Sequence, residues 1–498
     1  MGLHVGIGGI RRHACAALAD DRHVLGICEQ ERITRVRGAG CNASGLPDEA
    51  LDALLADVGS TRADISGFAA AEPHGPCAPR PSLALGHHEG HAYASYLTSP
   101  FDSAVVVICD HEPPGVSAWM ADGANVRRLD LPWEGRSLSD LYSESSTLIG
   151  FNSDSGDQRF EALARLMAAR PDERLPRLFT TDGTRIIEEP QWQSVVDSLV
   201  GSASASLAAR ARVAAALQGQ IADVLVDILR ELQRSTGARR LCLGGSLFYH
   251  SSINTAARQR GGFEKVFVPA NPGNAGLSVG MAMKLAGLGP RKLSAFMGPM
   301  YDPDTIKSTL DNCKLRYDWM DEGGVVEAAV HHLRQGRLVG WFEGRMEWGP
   351  RALGARSILA SPFSPYVLEN LNTFLKRRES WRGYAVSVPA EAVGAYFTGP
   401  DEAPFMECDY RPADLARFKP VLPSDHAHIR LHSVTPDSPP RFRAVLSAFG
   451  QTTGVPCLVN TSFNGFHEPI VCTPRDAVRV FFGSGLDVLI VDQFIVTK

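Results

Sequence analysis

Long apolar runs are missing from this 498-residue chain, and no stretch is long enough to cross a bilayer as a helix. Basic blocks are missing too. Lys and Arg total 50 against 55 Asp and Glu, a net charge of −5, and no local Lys/Arg run carries the footprint of nucleic-acid binding. The ten cysteines never form a C-x-x-C pair, which argues against a structural zinc site and a disulfide framework and fits a reducing cytoplasm. The opening residues, Met1-Gly-Leu-His-Val-Gly-Ile7, lack the basic region and apolar stretch of a secretory signal. No repeat of solenoid period is present. The composition, 44% hydrophobic and 21% charged, is that of a globular protein, and the length predicts two or three domains.

Apolar patterning predicts strands over 4–7, 24–29, 104–109, 240–243, 338–342, 457–460 and 488–491. It predicts helices over 51–58, 141–150, 159–168, 204–234, 277–286, 325–335, 365–376, 440–453 and 474–483. Strands and helices alternate in both halves, so the fold class is α/β. A Gly- and Pro-rich stretch, 289–303, reads as a linker between domains at 1–288 and 304–498.

The sharpest local feature is Gly344-Arg-Met-Glu-Trp-Gly-Pro-Arg-Ala-Leu-Gly-Ala-Arg-Ser-Ile-Leu359, which puts Arg345, Arg351 and Arg356 in a Gly-rich loop after a strand. Lys376-Arg-Arg-Glu-Ser-Trp-Arg382 follows, adding Lys376, Arg378 and Arg382. A strand then feeds the polar turn Asn460-Thr-Ser-Phe-Asn464, whose Asn460, Thr461, Ser462 and Asn464 can hold a phosphate or ribose. Guanidinium forks match phosphate oxygens, and Gly-rich turns add backbone N–H donors. An isolated arginine of this kind is usually a surface ion pair; this many on short loops predict a ligand with several phosphoryl groups. The Gly-Lys-Ser/Thr end of a P-loop is absent.

In the other half, His87 and His91 lie four apart in His87-His-Glu-Gly-His91. On a helix both imidazoles share a face, a spacing suited to a divalent cation, although such a pair alone is more often ordinary helix surface. Asp110 ends the buried strand 104–109, where ligands of α/β sheets gather.

Residues 336–383 and 454–476 resemble the carbamoyltransferases that include the nodulation, cephalosporin and tobramycin enzymes, and 87–115 also fit them. The matching runs are Gly336-Arg-Leu-Val-Gly-Trp-Phe-Glu-Gly-Arg-Met-Glu-Trp-Gly-Pro-Arg351 with its continuation to Leu359, and Asn460-Thr-Ser-Phe-Asn464 with Glu468-Pro-Ile-Val-Cys-Thr-Pro474. The resemblance implies an ASKHA (actin-like ATPase), Kae-type N-terminal domain and a YrdC-like C-terminal domain. In that family the second domain makes carbamoyl-adenylate from carbamoyl phosphate and ATP with Mg2+. Arg351 and Arg356 fall on its phosphate-binding arginines, Lys376 and Arg382 on its basic pair, and Ser462 on its Asn-Thr-Ser motif. The resemblance also implies His87, His91 and Asp110 as ligands of Fe2+ or Zn2+.

Several positions depart from the family. Arg12-His13 stands for its His-Asp, Asp110-His-Glu-Pro-Pro114 for its Gly-rich phosphate loop, Asp157-Gln-Arg159 for its Glu-Gly-Lys, Tyr249 for an Asn, and Asn274 for an acidic metal ligand. An amide oxygen ligates without supplying charge, so weaker metal binding is expected, with His13 or His111 as a base in place of metal activation. The expected activity is transfer of a carbamoyl group to a small-molecule acceptor such as a secondary metabolite, in the cytoplasm, with no nucleic acid or membrane partner; a homodimer is left open. The alternatives are a diverged adenylating ligase and a non-catalytic adenylate-binding partner protein.

Overall fold

The computed structural model describes residues 2–71, 81–130, 136–153, 155–182, 185–203 and 206–498. Residues 204 and 205, which begin one expected helix, lie outside them; that helix is Leu207–Thr236.

Two five-stranded sheets in the first half repeat one plan. In the first, the antiparallel meander Leu3–Gly8, Cys15–Ala19, Val24–Glu29 is extended by Ile65–Ala71 and Leu83–Leu85, both parallel to the first strand. In the second, the meander Ser103–Cys109, Val116–Asp122, Asn125–Arg128 is extended likewise by Arg240–Gly244 and Lys265–Phe267. The apolar run expected to be a central strand is one: Ser103–Cys109 is paired on both sides and buried from Ala104 onward.

Each sheet's last strand leads to a helix, His87–Leu97 and Leu277–Leu285. Both pack into one core formed by the two sheets. They approach closely at Gly280, where a Cβ would fall 2.5 Å from the backbone of Ala94; only glycine permits that contact.

The second half is built on a ten-stranded mixed sheet. At its centre Val339–Phe342, Arg356–Ala360, Leu458–Ser462 and Ala385–Pro389 pair antiparallel in succession. One expectation is corrected here and another is refined. The Arg-rich segment read as a loop contains the strand Arg356–Ala360. The helix expected over 365–376 is present over 367–375, beginning as the α-helical Val367–Glu369 and widening to the π-helical Asn370–Leu375. From this segment Asn372 Nδ2 donates to the carbonyls of Ser380 (3.1 Å) and Arg382 (2.8 Å), tying the following loop to the helix.

The halves share core and polar contacts. Trp348, Leu353 and Met406 are buried in the cluster centred on the first half's sheets. Gly349 N–H donates to Glu29 Oε1 (2.6 Å), Arg32 Nη2 to Gly349 O (2.7 Å), and Arg35 to the carbonyls of Ile470 (2.6 Å) and Pro469 (2.8 Å). Gly349 has φ +98°, and a Cβ there would lie 2.7 Å from Ala270 O. Among the described residues no helix is long and apolar enough to cross a membrane.

Candidate active site

A cavity of about 940 Å³ lies between the halves and is lined by both. Ten basic side chains and five carboxylates are among its described lining residues. The second half supplies Arg351, Lys376, Arg378, Arg382, Asn460, Thr461, Ser462 and Asn464, and the first supplies His13, Arg159, Glu161, Arg165, Tyr249 and Asn271.

Its floor follows from the antiparallel pairing of Arg356–Ala360 with Leu458–Ser462. The latter strand delivers Asn460, Thr461 and Ser462 to one end, and the chain turns at Asn464. Lys376 Nζ donates to Ser462 O (2.6 Å), Asn464 O (3.2 Å) and Asn464 Oδ1 (2.5 Å). Burial, with Arg378 beside it, pushes the Lys376 amine well below its ordinary value. Asn372 braces the loop between them: its Oδ1 accepts from Arg378 Nε and Tyr384 Oη, both at 2.8 Å. Arg378 also lies 4.2 Å from the Tyr384 ring centre. Asn460 donates to Ser387 Oγ (3.0 Å), which contacts His432 Nδ1 (2.9 Å), while Asn460 Oδ1 is buried without a hydrogen-bond partner.

The cations outnumber the acids that could neutralise them. Arg351 Nη2 donates to Tyr249 O (3.1 Å); burial and neighbouring Arg430 push it down to about 9. Arg382 has Glu379 at 3.7 Å, and burial and Arg378 push it down to about 10. A desolvated guanidinium short of counter-charge is stabilised by an incoming anion.

Two residues expected at the site are elsewhere, for a physical reason. Arg356 begins its strand fully buried and donates to the carbonyls of Glu343 (2.8 Å), Ala355 (3.1 Å) and Gly344 (3.0 Å), with its guanidinium 3.5 Å from the Phe342 ring centre. Arg345 pairs with Asp57 (2.7 Å) and Gly298 O (3.1 Å). Neither lines the cavity; both hold backbone in place.

Of the two candidate bases, His13 lines the cavity, and its ring is shifted down by burial against a smaller opposing pull from Glu31. Its backbone is left-handed, φ 59°. His111 does not line the cavity; its Nδ1 is 2.7 Å from Asp140 Oδ1 and the side chain is half-exposed. Four of the seven described non-glycine residues with positive φ line the cavity: His13, Arg377, Met406 and His467. Left-handed backbone at such residues persists only where the surroundings impose it, and it gathers at functional sites.

His87, His91 and Asp110 converge in the first half, their donor atoms within 4.8 Å of one another. Asp110 Oδ2 is 3.2 Å from His87 Nε2 and 2.9 Å from His91 Nε2. Asp110 Oδ1 accepts from Ser246 Oγ (2.8 Å) and the His111 N–H (2.7 Å). Asn274 Oδ1 lies 3.3 Å from His91 Nε2. Two imidazole nitrogens and a carboxylate oxygen form a donor set that fits a divalent cation. These residues do not line the large cavity; Tyr249, Asn271 and Ala275 form its wall on that side of the chain. Tyr249 Oη donates to Asn271 Oδ1 (2.7 Å), and the ring lies against Gly273.

Sequence patterns did not point to the ionic wall between the halves. Glu161 accepts from Arg430 Nη2 at both oxygens, and Asp409 Oδ1 accepts from Arg165 Nε (3.1 Å) and Ser251 Oγ (2.7 Å). Arg159 pairs with Glu379 at 2.5 Å. Glu161, Arg165, Asp409 and Arg430 belong to no motif, and only folding joins them.

Residues 77–283 match the description Carbamoyltransferase N-terminus, and 330–498 match Carbamoyltransferase C-terminus. Nodulation protein NolO of Bradyrhizobium diazoefficiens is 28% identical over 441 residues, 83% of this chain and 79% of that protein. An uncharacterized protein of Synechocystis sp. is 28% identical over 474 residues, 84% and 76% respectively. Nodulation protein U of Bradyrhizobium diazoefficiens is 31% identical over 233 residues, 46% of this chain and 39% of its own. Among solved structures, full-length HypF in its phosphate- and nucleotide-bound form aligns with 57% of this chain and 46% of its own at 12% identity and TM-score 0.40. With both regions matched in order, the chain belongs to the carbamoyltransferase family of enzymes and has that family's two-domain α/β architecture.

Proposed function

We propose that the cavity makes carbamoyl-adenylate from carbamoyl phosphate and ATP and passes its carbamoyl group to a hydroxyl or amine of a small-molecule natural product. The observation that carries this reading is the excess of buried cations in one cavity lined by both halves. Carbamoyl phosphate gives its phosphate to water. A carbamate oxygen then attacks the α-phosphorus of ATP, and pyrophosphate leaves. The acceptor attacks the carbamoyl carbon, and AMP leaves with the bonding pair.

Lys376, Arg378, Arg382 and Arg351 hold the phosphoryl oxygens, and Mg2+ accompanies the nucleotide. Charge-assisted donors in a site shielded from water stabilise charge as it develops on the leaving pyrophosphate. Enclosure also keeps the mixed anhydride from hydrolysis. His13, held neutral by burial, accepts the acceptor's proton. His87, His91 and Asp110, outside the cavity lining, would hold a divalent cation such as Fe2+ or Zn2+, which when bound supplies Lewis-acid chemistry.

Isotope exchange between pyrophosphate and ATP tests this. Exchange that requires carbamoyl phosphate is the expected result. Exchange supported only by a different small acid would assign the chain to another adenylating chemistry, and none under any condition would leave a non-catalytic adenylate-binding protein.

A further inference from the structure

Among the described residues three phenylalanines are exposed, Phe374, Phe466 and Phe482, and of these only Phe466 lines the cation-rich cavity. It is 51% exposed. A lone exposed phenylalanine is ordinary on a protein surface. This one sits on a fixed turn beside the phosphate cradle. Asn464, whose Oδ1 and carbonyl receive Lys376, closes the turn by donating from Nδ2 to Glu468 O (2.6 Å). Beyond it, Glu468 pairs with Arg479 (2.7 Å), and Arg35 of the other half holds the carbonyls of Pro469 and Ile470.

The next residue, His467, is left-handed at φ 56° and sets its ring 4.1 Å from that of Phe466, at 69°. Arg37 of the first half donates to His467 Nδ1 (3.2 Å). Arginine only donates, so this bond fixes Nδ1 as the acceptor. The edge-on histidine and its tether orient the phenyl ring, which stays half-exposed. The ring is two residues from Asn464, so its Cα lies within about 7 Å of the cradle, the scale of the sugar between a nucleobase and its first phosphate.

We infer that Phe466 is the platform on which the base of ATP stacks, with its phosphates on Lys376 and its neighbours; this rests on the nucleotide reading of the cavity given above. A phenyl face accepts any planar base, and the contact strengthens binding without touching the reacting phosphorus.

Calorimetric titration of the full-length protein with ATP and, separately, with inorganic tripolyphosphate tests the inference. Phe466→Ala is expected to weaken ATP about tenfold, the lower part of the range for a base–aromatic stack, to leave tripolyphosphate unchanged, and to be rescued for ATP by Phe466→Trp. Unchanged ATP affinity in Phe466→Ala overturns the platform alone. Equal weakening of both ligands also overturns it, because that result shows a damaged turn. Failure of the wild type to bind ATP overturns the platform and the nucleotide reading together.

Discussion

Arg430 Nη2 lies 2.8 and 2.9 Å from the two carboxylate oxygens of Glu161, joining positions 269 residues apart, one in each half of the chain. Both side chains are buried. Burial acts to raise the Glu161 carboxyl, but Arg430 and Arg165 outweigh it and hold the group well below the ordinary range. A depressed carboxylate adds stability that is present above its unfolded value and lost as pH falls through the folded one. Glu161→Ala leaves buried cations without a partner and is expected to cost about 3–5 kcal/mol. Denaturant titration of both proteins across pH 3–8 checks this. The gap should be widest near neutrality and narrow in acid; a gap independent of pH would contradict the assignment.

The arginines of the Gly-rich segment should divide by role. Arg351→Ala and Lys376→Ala are expected to lower the pyrophosphate exchange rate by about tens- to hundreds-fold, the loss of one charge-assisted donor in a desolvated site, with the melting temperature nearly unchanged in Arg351→Ala and lowered in Lys376→Ala, which strips the donor from Ser462 O and Asn464. Arg356→Ala should do the reverse. It orphans three carbonyls and lowers the melting temperature. Wild-type exchange in both Arg351→Ala and Lys376→Ala would remove this cavity as the adenylation site.

His13 is shifted down by burial and by Arg12, Arg37 and Arg32, against Glu31. A base works deprotonated, so its activity falls as pH drops through the lowered value. The acid limb of kcat/KM for carbamoyl transfer should therefore lie below 6.5, and His13→Gln should abolish that limb and slow transfer about a hundredfold. An unaltered profile in His13→Gln would exclude it as the base.

Asn274 places a neutral oxygen 3.3 Å from His91 Nε2, giving up the charge–charge attraction to a dication that matters most where water screens little. Elemental analysis should find less than one equivalent of metal in the purified protein and more in Asn274→Asp. His91→Ala should leave pyrophosphate exchange intact. A full, tightly held equivalent in the wild type would show that the amide costs nothing.

Much of the scaffold was legible in the sequence because burial writes itself into residue choice. The run 104–109 could only be a central strand, and the boundaries of Val24–Glu29, Pro440–Thr453 and Val488–Val491 follow directly from apolar patterning and turn residues. The cradle of Lys376, Ser462 and Asn464 was legible because its residues sit in two compact motifs. Arg356 lies outside the cavity lining, and a guanidinium that binds carbonyls and one that binds phosphate look alike in a Gly-rich string. Glu161, Arg430 and Asn372 left no sequence signal, since their roles depend on partners supplied by tertiary structure.

The seam between the halves also bears on recombination. Glu29 with Gly349, Arg35 with Ile470, Arg159 with Glu379 and Glu161 with Arg430 each take one member from either side. The first two use backbone groups that any second half supplies, but a chimera with a second half lacking Glu379 and Arg430 would leave Arg159 and the buried Glu161 without these partners. Substitutions at Glu161 or Arg159 in one half are thus tied to Arg430 or Glu379 in the other.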